Sequence, residues 1–89
     1  MALVDDLGDA LARDVLAAQD ELGDDRFYDK VSRTVGALSP TLQEAFMTSI
    51  RLRLAEMRGR AFLEASLKAR RGQGTAPTAP RAQTDPGGH

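Results

Sequence analysis

Arg51, Arg53, Arg58, Arg60, Lys68, Arg70 and Arg71 crowd between positions 51 and 71, opposed along the same stretch of chain by Glu44, Glu56 and Glu64. Cations at this density can neutralise phosphate or carboxylate. Arg51 and Arg58 stand a heptad apart and would share the outer side of a helix, and Lys68, Arg70 and Arg71 extend the strip, so contact with the phosphates of double-stranded DNA is the chemistry they offer. No base-stacking aromatics accompany them, since Phe46 falls on an apolar stripe and Phe62 stands alone, which restricts the expectation to weak, sequence-independent contact. Catalysis finds no such provision. The chain has no cysteine and a single histidine, His89, so a Ser or Thr nucleophile lacks its usual base, and the sequence reads as non-enzymatic. Asp20, Glu21, Asp24 and Asp25 lack the alternating oxygen ligands and closing Glu of a calcium loop and read as helix-end residues. No cofactor and no metal are expected.

The acids lie elsewhere. Residues 1–29 hold nine acids and two bases, whereas residues 30–89 hold ten bases and four acids, so a formal net charge of −1 conceals segments of opposite sign. Such a chain attracts its own other half, a second copy or an outside polyion, which points to association. Its 89 residues allow one domain at most. A chain of this size buries only roughly 60% of its unfolded surface, and oligomerisation is one usual remedy for so thin a core.

Three helices must carry these charges, which makes the expected fold all-α, with two short helices and one long C-terminal helix. Val4, Leu7, Leu11, Val15, Ala18 and Leu22 recur at spacings of three and four and predict one helix face, with Asp5, Asp9 and Asp14 turned outward. Gly23 stops this helix, and Asp24 or Asp25 can cap a second one with apolar positions at Phe27, Val31, Val35 and Leu38. Ser39 followed by Pro40 starts the third, in competition with a Thr41/Glu44 capping box two residues later.

From Pro40 to Arg71 the strongest breaker is Gly59, and 32 helical residues would span about 48 Å. A globule of about 70 residues has a radius of gyration near ~11 Å, so two short partners cannot cover that length. Phe46, Ile50, Leu54, Met57, Ala61 and Ala65 form one stripe for the intrachain core. Ala45, Leu52, Leu63 and Leu67 form a second, displaced around the cylinder, and the leucines of that stripe are the expected contact between subunits.

Ser32, Val35-Gly36-Ala37, Thr41-Leu42 and Ala45 place a small residue four before a glycine and apolar residues one before, one, six and nine after it. That spacing resembles a helix-turn-helix, which implies a glycine-made turn and a second helix facing bases through Ser39, Thr41, Gln43, Glu44 and Met47; a plain αα-corner has the same pattern. With the long two-faced helix and the charge split, the chain resembles the small terminase subunits of phage-type DNA-packaging machines. The resemblance covers residues 25–71 and implies subunit rings, engagement of a packaging motor protein, DNA contact by Thr41, Gln43, Arg51 and Arg58, and subunit contact by Leu52, Leu63 and Leu67. The competing expectation is a protein-only regulatory adaptor whose acidic first helix docks on a basic partner.

Residues 72–89 contain three of the four prolines, four of the eight glycines and no large apolar side chain, so the sequence divides into a helical association domain, 1–71, and a tail, 72–89, expected to be disordered. No apolar run approaches the ~20 residues that span a bilayer, and no basic segment opens the chain, so a cytoplasmic protein without membrane contact is expected.

Overall fold

The computed structural model describes residues 2–72 and 74–80 and contains α1 (Leu3–Leu22), α2 (Phe27–Gly36) and α3 (Pro40–Arg70), with no strand among the described residues. The expected all-α architecture is what is observed. Two compact units divide the chain, Met1–Glu56 and Met57–His89. The boundary between these units lies within α3.

In the first unit, local chemistry sets the helix ends. Gly23 takes the left-handed conformation, φ 66° and ψ 30°, in which a Cβ would be strained, and its N–H donates to the Asp20 carbonyl while Asp24 N–H reaches back to Gln19. Asp24 then accepts from the Arg26 N–H at 3.0 Å through its side chain, a turn before α2. At α3 the choice between starts resolves in favour of Ser39, whose Oγ accepts the Leu42 N–H at 3.0 Å ahead of Pro40.

Four side chains make the buried apolar centre: Ala12, Val15, Phe46 and Ile50, flanked by half-buried Leu11, Leu16, Phe27, Tyr28, Val31, Met47 and Leu54. The buried face of α1 is therefore rotated from the expected one. Gly8, Ala12 and Val15 point inward while Leu7 and Leu22 are exposed. The reason is close approach: a Cβ on Gly8 would lie 2.9 Å from the Ala45 carbonyl carbon, the Ala45 Cβ and the Phe46 nitrogen. Two helices that near each other admit small residues at the crossing, and the leucines are displaced to the flanks. Ala45 accordingly belongs to the intrachain packing and not to the second stripe of α3. Leu38, expected on the inner face of α2, is 92% exposed beyond that helix, and Met57, expected on the core stripe, is exposed as well.

In the second unit the chain is helical through Arg70, Gly72 adopts φ 79°, and residues 75–80 form neither helix nor strand. The remainder of the expected disordered tail, residues 81–89 and Gln73, lies outside the described residues.

The crossing predicts opposite outcomes at two helical glycines. Gly8→Ala presses a methyl group against backbone and should cost about 1–3 kcal/mol, the range for overpacking. Gly59→Ala meets nothing within 4 Å in mid-helix and should be neutral or stabilising by up to ~1 kcal/mol. Thermal unfolding of both variants checks the pair, and a harmless Gly8→Ala would contradict the crossing.

Candidate interaction surface

Two polar contacts fix the surface of the first unit. Asp9, expected to point outward, instead ties α1 to α3: its Oδ1 accepts from Ser49 Oγ at 2.7 Å and from Arg53 Nη2 at 2.8 Å, and Arg53 Nε also donates to Ser49 Oγ at 3.1 Å. Ser49 is buried, so the network satisfies a hydroxyl that would otherwise lack a partner at the edge of the core. It is one place where the acidic and basic halves of the sequence meet within one chain. Bonding to Arg53, then to Ser49, holds the Asp9 carboxyl below the usual carboxylate range. Asp24 is lowered likewise, first by Lys30 at 2.9 Å and then by the Arg26 N–H.

The second contact joins α2 to α3. Gln43 Nε2 donates to the Ser32 carbonyl at 2.9 Å and lies 3.2 Å from Ser32 Oγ, with both residues at least half-buried. Gly36 leaves space for this amide, because a Cβ there would lie 2.5 Å from the Gln43 side chain. Its φ is not positive. The glycine of the helix-turn-helix pattern thus provides room and not a left-handed turn, and the Gln43 amide nitrogen is engaged inside the protein.

The other residues singled out in the sequence separate by unit. In the first, Thr41 is exposed at the start of α3 on an open groove also lined by Asp5 and Glu44, acids that disfavour phosphate beside it. Arg51 is exposed, and Leu52 is 66% exposed. In the second, Arg58, Lys68, Arg70 and Arg71 are exposed, as are Leu63 at 51% and Leu67 at 41%. Met57 and Phe62 are also exposed there, and sequence reasoning had placed neither in the subunit stripe.

Among the described residues no group of three or more His, Cys, Asp or Glu could hold a metal ion, and no helix is long and apolar enough to cross a membrane. No protein-family model, curated protein or solved structure matches the chain.

Because Asp9 has a lowered folded-state pKa, its stabilisation is fully present above the unfolded carboxylate value of ~3.9 and is lost as pH falls through the lower folded value. Asp9→Asn should therefore be less stable than the parent at neutral pH, with the gap closing on acidification below about pH 4. Melting curves across this range that stay parallel would show the carboxylate contributes nothing.

Proposed function

We propose that this chain is a non-enzymatic helical adaptor that self-associates through the C-terminal part of α3. One observation carries the reading: in the unit Met57–His89, the large apolar side chains Met57, Phe62, Leu63 and Leu67 are all exposed. Exposed on a stretch of α3 beyond the buried core, these side chains gain free energy by packing against apolar surface. Contact with another chain supplies that packing. Leu52 in the first unit is exposed too.

The finer reading is a DNA-packaging type of adaptor, similar to small terminase subunits, that touches double-stranded DNA weakly and hands it to a partner motor protein. Exposed Arg51, Arg58, Lys68, Arg70 and Arg71 support the phosphate contact. With Gln43 bonded to Ser32, the observations favour contact through phosphates over base reading.

Light scattering on size-separated protein at ~100 μM, where a micromolar interface is occupied, should give a species larger than the monomer. Leu63→Glu with Leu67→Glu should reduce it to the monomer while preserving helicity. Arg51→Ala with Arg58→Ala should weaken DNA retention equally on unrelated sequences and lower the salt slope by up to about 0.9 per lost phosphate contact. A monomeric parent protein would defeat the association reading. Absence of DNA retention at about 50 mM salt would defeat the packaging reading and leave a protein-only adaptor.

A further inference from the structure

A groove of about 550 Å³ opens between the first turns of α1 and α3, with Val4, Pro40 and Ala45 as its apolar lining and the carboxylates of Asp5 and Glu44 beside them. Among the described residues neither acid has an ion-pair partner. The second unit carries the complementary set. Leu63 and Leu67 are exposed one helical turn apart, and Arg70 follows Leu63 by seven residues and Leu67 by three, so all three share a face. Arg71, four after Leu67, adds a second guanidinium at the end of that face. Two apolar side chains beside two cations match an apolar groove beside two carboxylates.

We infer that this groove receives the Leu63–Arg71 segment of a second copy of the chain. The inference rests on the self-association reading and assigns its two surfaces. Charge complementarity selects the occupant: positions 57–71 hold Arg58, Arg60, Lys68, Arg70 and Arg71 against Glu64 alone, whereas residues 2–10 hold Asp5, Asp6 and Asp9 and no base. Asp9 is already used by Arg53 within the chain, which leaves the acids at the groove end of α1 for the partner. Two copies can satisfy this contact reciprocally in a two-fold dimer, and more copies can satisfy it head to tail in a ring or filament. Because both charged ends are exposed, added salt weakens the contact.

Reversing each side separately tests the assignment. Asp5→Lys with Glu44→Lys removes the groove carboxylates, and Arg70→Glu with Arg71→Glu removes the segment cations, all at exposed positions where circular dichroism verifies the helices. Each double variant should associate at least about tenfold more weakly than the parent by light scattering, and an equimolar mixture of the two should recover assembly because opposite charges again face each other. Association of the parent that survives groove reversal would overturn the groove as the receptor while leaving self-association intact. Loss in both variants without recovery on mixing would overturn the charge-paired docking, and a monomeric parent would overturn the self-association reading itself.

Discussion

The approach of α1 to α3 at Gly8 and Ala45 is the constraint from which the first unit follows. With no Cβ at position 8, the backbones come close enough that Ala12 and Val15, the next positions along α1, meet Phe46 and Ile50 on α3 and exclude water from them. The same approach brings Asp9 within reach of Ser49 and Arg53, one and two turns beyond Ala45. Separation of the helices at the crossing would loosen the apolar contacts and the polar link together. Among the described residues only Phe46 and Ile50 are large side chains fully buried, so the unit has little surplus with which to absorb such a change.

That economy gives the exposed residues of the second unit their significance. Scattered surface leucines are ordinary on a protein with an ample core. Here the exposed Leu63 and Leu67 are each as large as Ile50, one of the two large side chains that the described residues bury fully, and they lie on a segment whose own unit leaves them exposed. The charge pattern acts in the same direction. One acid of α1 is matched by Arg53, while Asp5 and Asp6 stay exposed without such a match among the described residues, so the opposition between the halves of the sequence is only partly satisfied there. Apolar area and residual charge together favour a surface for another chain over a site for a small molecule.

Features written into a few adjacent residues were legible from the sequence. Gly23 as a left-handed stop and Ser39-Pro40 as a helix start depend on backbone chemistry that no distant residue alters, and the three helices follow from them. What depended on the distance between helices was not legible. Hydropathy put Leu7 and Leu22 on the inner face of α1, because counting apolar residues cannot register that two backbones approach too closely for a leucine to fit between them. For the same reason Ala45 resembled part of an outer stripe, and Gly36 resembled a turn when its role is to admit the amide of Gln43. The Gln43–Ser32 bond spans 11 positions and had no local signature, so a residue suited by spacing to read bases is engaged within the fold. Arg51 and Leu52 were legible as surface because periodicity turns them away from Phe46 and Ile50, whereas Met57 and Lys68 share the side of Phe46 and Ile50 and are exposed all the same.

The central claim, that residues 57–70 take their packing from another chain, is tested most directly by backbone amide exchange measured at two protein concentrations about a hundredfold apart across the micromolar range. The account predicts that amides around Leu63 and Leu67 become more protected at the higher concentration. Identical exchange of those amides at both concentrations would contradict it.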